Sequence, residues 1–157
     1  MFNLFRKTYT LVAPMDGKVL DLSIVKDKVF SSKLLGEGVA IEPINDLVVA
    51  PAQGRLSLIF KTKHAFGMVL DNGIEILVHI GIDTVGLEGE GFSPLAKEGD
   101  FLQAGDPVIK IDRKLIIEKG YSLITPIIIT NIDEVKEIEY NISDNIKSGE
   151  IILNYKL

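Results

Sequence analysis

The sequence predicts an all-β domain, an antiparallel β-sandwich or flattened barrel with short helices at its periphery. Two observations carry this. Val, Ile, Leu and Phe fall in short runs broken roughly every 8 to 12 residues by Gly, Pro, Asp or Asn, the pattern of many short strands. In addition, VAPMDGKV at 12–19 is echoed by VAPAQGRL at 49–56, 37 positions on. The echo predicts two corresponding strand-turn-strand units, each with a proline at a strand edge and a glycine that gives the turn its positive φ. Only two copies occur, so the units close into a compact sandwich and not a solenoid.

The remaining elements follow in order. KEGDFLQAGDPVIKI at 97–111 and NIKSGEIILNY at 145–155 each read as a glycine turn leading into an apolar strand. Helix signals are few. Asp112 is placed to cap RKLIIEK, with Gly120 as its stop, and Asn131 to cap IDEVKEI, with Asp133 and Glu134 in the first turn. No linker or low-complexity segment interrupts the chain. Residues 1–157 are expected to form one domain and a monomer, with 1–8 flexible.

Composition excludes several function classes. A chain of 157 residues, 46% hydrophobic and 25% charged, can build a core without staples. No run approaches the roughly 18 apolar residues of a membrane span. MFNLFRK has the wrong order and length for a secretory signal, and its Phe2, Leu4 and Phe5 can at most touch a membrane surface. The absence of cysteine rules out disulfides and thiolate chemistry and fits a cytoplasmic setting. A net charge of −5 without a basic block argues against nucleic acid as a partner.

The two histidines, His64 and His79, flank Asp71-Asn72-Gly73. Asn-Gly between β-rich runs predicts a two-residue type I′ hairpin, with Asp71 opposite Ile74. In that register His64 lies across from Gly81 and Phe66 across from His79. One face then carries Ala65, Gly67, Val69, Ile74, Ile76, Val78 and Ile80 and is the core. The other carries His64, Phe66, Met68, Leu77, His79 and Gly81, and puts the imidazoles on one side as diagonal neighbours roughly 7 to 8 Å apart. A three-residue turn would send them to opposite faces. Gly81, lacking a side chain, would leave a vacancy beside both rings.

Two neutral imidazoles around a space suit a metal ion or a phosphoryl group. Thr62 shares the parity of His64 and could fix its tautomer, and Asp83 shares that of His79. The plain alternative is that strand histidines are ordinary half-buried residues, that Phe60, Phe66 and Leu77 are packing, and that GLEGEGF is a solvated loop.

GIEILVHIGIDTV at 73–85 resembles the active-site signature of the glucose-class enzyme IIA of the bacterial phosphoenolpyruvate-dependent sugar phosphotransferase system. The similarity extends to EGEGF, HAFG, VAPAQG, VFSSKLLGEGVAI and TPIIITN, from about Thr10 to Tyr155. It implies a phosphocarrier that takes a phosphoryl group from the phosphohistidine protein HPr and gives it to a cysteine on the IIB domain of a sugar permease. His79 would be the phosphorylated nucleophile, His64 the residue that steadies the phosphoryl group, and Thr62 the partner of His64. Asp27 and Asp83 match flanking acidic positions, and Phe30, Phe60 and Leu77 an apolar ring on which partners dock, with Phe66 and Gly81 beside it. The resemblance requires no cofactor, although zinc could bridge His64 and His79 if a partner added a carboxylate. It also admits regulatory contacts with metabolic enzymes.

Two other classes fit less well. A zinc peptidase of the lysostaphin type would need His-x-x-x-Asp and His-x-His, but Met68 and Gly81 stand at the required positions. A lipoyl- or biotinyl-like carrier would need its lysine on a hairpin tip, and Lys28 has no such hairpin. A nucleotide-binding loop ending in Gly-Lys-Ser or Gly-Lys-Thr is also missing.

Overall fold

In the computed structural model of the protein, which describes residues 6–157, the two Val-Ala-Pro segments lie against one another. Val12 N–H donates to the Pro51 carbonyl at 2.8 Å and Val49 N–H to the Pro14 carbonyl at 2.7 Å, a reciprocal clasp that accounts for the internal echo. The glycine of each unit differs from expectation. Gly17 has φ 158°, close to extended, and Gly54 is not among the residues with positive φ. Both are needed for close backbone approach. A Cβ on Gly17 would lie 2.0 Å from the Glu42 carbonyl oxygen, and one on Gly54 2.7 Å from that of Val69.

The strands are β1 (Tyr9–Val12), β2 (Gly17–Asp21), β3 (Glu37–Pro43), β4 (Leu47–Val49), β5 (Gly54–Ile59), β6 (Ala65–Leu70) and β7 (Glu75–His79). They continue as β8 (Phe92–Pro94), β9 (Phe101–Leu102), β10 (Pro107–Ile111), β11 (Thr125–Ile129), β12 (Glu137–Tyr140), β13 (Ser143–Ile146) and β14 (Ile151–Lys156). All the pairings are antiparallel, as expected. One sheet runs β13-β2-β3-β11-β7-β6-β5-β9, and two smaller ones run β4-β10-β8 and β1-β14-β12. The two echoed glycine turns lead into β10 and β14 as predicted.

The main core gathers Leu11, Ile41, Leu56, Phe66, Ile76, Ile109, Ile127 and Leu153 from all three sheets. A smaller cluster lies on the other face of the large sheet, where Leu20, Ala40, Ile128 and Leu77 are covered by Leu22, Val25 and Phe30. β11 is buried at every position, which accounts for its run of three isoleucines, Ile127 to Ile129.

The short helix α1 (Lys28–Ser31) was not anticipated. The Asp27 carboxylate caps it by accepting from Val29 N–H at 2.9 Å, and Lys28 is its first residue. The helix α2 (Arg113–Glu118) has its expected cap, Asp112 accepting from Leu115 N–H, and Gly120 follows at φ 89°. The second expected helix is only a 3-10 turn, Ile132–Glu134, and Glu137 and Ile138 belong to β12. Asn131 does not cap that turn. Its side chain accepts from Glu75 N–H and donates to the Gly73 carbonyl, both at 2.9 Å, so tertiary bonding across the hairpin displaces the local cap.

The apolar patch Phe2, Leu4 and Phe5 lies outside the described residues, as does most of the segment expected to be flexible. Within that segment Arg6 donates to the Leu157 carbonyl at 2.9 Å.

Candidate active site

The β6–β7 hairpin has a three-residue loop. Leu70 N–H donates to the Ile74 carbonyl and Gly73 N–H to that of Leu70, with Gly73 at φ 89° and Asn72 not in the positive range. A left-handed residue is thus used once, as in a type I turn closed by a glycine bulge, and not twice. The Asn72 side chain favours this form by accepting from Ile74 N–H and donating to the Tyr155 hydroxyl.

The extra residue shifts the register by one. Ala65 lies opposite His79, Phe66 opposite Val78, and Met68 opposite Ile76. The β7 face is as predicted, but the β6 face inverts. Phe66, Met68 and Leu70 enter the core, and Phe66 at 0% exposure cannot be part of a docking rim. Val69 and Gly67 turn outward beside Leu77 and His79.

The histidines nevertheless meet. His64 precedes β6 and is released from its alternation by a turn in which Lys63 adopts φ 61°. Its carbonyl accepts from Ile80 N–H at 2.7 Å, while its ring swings to His79, centroids 4.8 Å apart and planes at 82°. Lys63 before His64 and Asp83 (φ 60°) and Glu88 (φ 52°) after His79 are strained non-glycine positions grouped around the pair.

Each ring has a defined second partner. Thr62 Oγ1 is 2.8 Å from His64 Nδ1. His79 Nδ1 is 2.8 Å from the Gly81 carbonyl oxygen. A carbonyl only accepts, so His79 Nδ1 carries the proton, and the neutral ring has its free lone pair on Nε2.

Gly81 is therefore more than an open space. It sits at φ 78°, and a Cβ there would meet the Thr84 methyl at 2.5 Å and the Ser122 carbonyl oxygen at 2.7 Å. Only glycine fits the backbone that brings its carbonyl to His79.

Aromatic and apolar groups frame the pair. Phe30, delivered by α1, is 5.0 Å from the His79 ring, and Phe60 stands edge-on to His64 at 5.4 Å. Leu77 is half-buried beside His79 on the same strand face. Phe92 also approaches His64, at 6.4 Å, from a stretch that looked like loop. Exposed apolar groups on adjoining segments are Val29 of α1 at 43% and Val85 at 55%.

Burial sets the electrostatics. His64, 2% exposed, is held at a pKa of about 4 by desolvation and then by the nearby His79, with the Thr62 backbone opposing. His79 is also lowered by desolvation, against the Gly81 bond and the charges of Asp27 and Asp83. Both rings are neutral near pH 7. The set is thus a half-buried, oriented nitrogen nucleophile beside a second, buried neutral imidazole. Among the described residues no group of three or more His, Cys, Asp or Glu could hold a metal.

Comparison with known proteins agrees with this chemistry. Residues 9–135 match the family model described as phosphoenolpyruvate-dependent sugar phosphotransferase system, EIIA 1. The glucose-specific EIIA component of Oceanobacillus iheyensis is 47% identical over 145 residues, covering 92% of this chain and 85% of that protein. The beta-glucoside-specific EIIBCA component of Bacillus subtilis is 50% identical over 131 residues, 80% of this chain and 22% of that longer protein. The solved structure of the glucose permease IIA from Mycoplasma capricolum superposes with a TM-score of 0.90 at 37% identity, over 98% of this chain and 99% of that one. The chain therefore belongs to the EIIA 1 family of the phosphoenolpyruvate-dependent sugar phosphotransferase system and is a phosphocarrier of sugar uptake.

Proposed function

We propose that Nε2 of His79 receives a phosphoryl group from the phosphohistidine of HPr and passes it to a cysteine thiolate of a IIB domain. The observation that carries this is the bond from His79 Nδ1–H to the Gly81 carbonyl, which leaves Nε2 as the nucleophile. In the first step the N–P bond of HPr breaks as the N–P bond to His79 forms, and the electron pair returns to the donor imidazole. In the second the IIB sulfur bonds phosphorus and Nε2 recovers its lone pair. The proton on Nδ1 stays in place throughout, and its carbonyl partner supports the positive charge the ring carries while phosphorylated. Asp27 and Asp83 favour the same charge.

His64 supplies the donor for the phosphoryl oxygens. With Thr62 Oγ1–H donating to Nδ1, the proton of the neutral ring lies on Nε2 and is free to bond phosphate, a preorganised stabilisation. Phe60, Leu77, Val29 and Val85 form the apolar rim on which partners would seat, keeping water from the phosphoramidate, while Phe30, expected on that rim, is 4% exposed and packs beneath it against His79. A relative in which the same region is joined to B and C domains supports IIB as the acceptor. Names of the relatives point to glucose and β-glucosides as the sugars served. Zinc between the imidazoles would need a further ligand from a partner. Among the described residues no helix is long and apolar enough to cross a membrane, which suits a carrier that works on the cytoplasmic side.

Reconstitution tests the proposal. Phosphoenolpyruvate, enzyme I and HPr should label this chain with an acid-labile, base-stable phosphate that an added IIB domain removes. Labelling of a His79→Gln variant at the normal level would overturn it.

A further inference from the structure

The residue that orients His79 is a glycine, and a glycine at φ 78° is free to rotate its peptide away. The carbonyl of Gly81 must therefore be held by something else. The peptide joining Ile80 to Gly81 is fastened at both ends. Its carbonyl accepts from the Thr84 hydroxyl at 2.5 Å, and its N–H donates to the Thr125 hydroxyl oxygen at 3.4 Å. Thr125 donates its own proton to the Leu123 carbonyl at 2.8 Å, leaving its lone pairs for that N–H. The following peptide is tied by Ile82 N–H to the Ser122 carbonyl at 3.1 Å, which leaves the Gly81 carbonyl aimed at the imidazole. Both threonines are fully buried, in places where an apolar residue of similar size would avoid the cost of hiding a hydroxyl.

We propose that Thr84 and Thr125 are positioning residues for phosphoryl transfer, clamping the Ile80–Gly81 peptide so that the Gly81 carbonyl keeps the His79 proton on Nδ1 and the lone pair on Nε2. The proposal rests on the reading of His79 as phosphoryl acceptor. Neither hydroxyl bonds the imidazole itself. Removing one leaves Gly81 N–H or the Ile80 carbonyl without its partner, and the peptide turns to find another. The Nε2–H tautomer, which has no lone pair to attack phosphorus, then gains population.

Nitrogen-15 NMR of the ring nitrogens in the full chain reads the tautomer without any phosphorylation. Wild-type His79 should show a single Nδ1–H form. Thr84→Val and Thr125→Val should each show a mixture, with phosphoryl acceptance from HPr slowed about fivefold, the equivalent of one ordinary hydrogen bond. Thr125→Ser should restore both readouts relative to Thr125→Val. Thr84→Val addresses the opposite end of the same peptide, so the test does not hang on the folding of one variant. Folded valine variants that keep a single Nδ1–H form overturn the proposal, as does slowing without a tautomer change. If wild-type His79 is not phosphorylated at all, the reading of the site fails while the tautomer result still decides the clamp.

Discussion

His64 and His79 stand edge to face, ring centroids 4.8 Å apart, although the backbone register places them on opposite alternations of the hairpin. The two rings are held by different kinds of partner. Gly81 offers His79 a carbonyl that can only accept, whereas Thr62 offers His64 a hydroxyl that can do either. His79 is therefore locked in one tautomer and His64 can adapt to what sits between them.

That asymmetry predicts a division of labour. His64→Gln should accept phosphate from HPr at close to the wild-type extent but pass it to a IIB domain at least about tenfold more slowly, as expected for loss of a positioned donor. Thr62→Val should fall between the two. Quench-flow transfer to IIB measures both, and wild-type onward rates for His64→Gln would return that residue to a purely structural role.

Gly81→Ala should be costly in two ways. The positive φ and the clash with Thr84 and Ser122 together predict a loss of about 2 to 5 kcal/mol in unfolding free energy. The displaced carbonyl should also slow phosphoryl acceptance in whatever fraction stays folded. Urea titration followed by a labelling time course separates the effects.

Acid should destabilise the fold through His64. Its pKa is lowered in the folded state to about 4 from the usual 6.5, so below 6.5 the unfolded chain binds a proton that the folded chain refuses. Stability is full above that range and falls as pH drops toward 4, with His64 contributing a slope of at most about 1.4 kcal/mol per pH unit. His79, lowered in the same direction, adds to it. Urea unfolding at a series of pH values should show a shallower slope for His64→Gln.

Much of this was legible in the chain. Short apolar runs and the Val-Ala-Pro echo predicted the antiparallel architecture, and the clasp between Val12 and Pro51 and between Val49 and Pro14 is its physical basis. The pairing of His64 with His79 was reached by a register that is one residue off. Asn72-Gly73 favours two loop residues locally, but the Asn72 side chain accepts from Ile74 N–H and donates to the sequence-distant Tyr155 hydroxyl, and these bonds select three. His64 still arrives because Lys63 breaks the alternation, and no parity argument sees a left-handed lysine. Asn131 misled for the same reason, its side chain being spent on Glu75 and Gly73. Phe92, Thr84 and Thr125 come to the site from sequence-distant segments. The threonines lie in stretches already singled out, GIDTV and TPIIITN, but a hydroxyl's target is invisible until the backbone carbonyls are placed.

The central claim is that Nε2 of His79 carries the phosphoryl group, and NMR of the phosphorylated protein with nitrogen-15 in its histidine rings tests it most directly. Phosphorus coupling to Nε2 of His79, with the proton retained on Nδ1 and His64 unmodified, is the predicted result. Coupling to Nδ1 of His79, or to either nitrogen of His64, would contradict it.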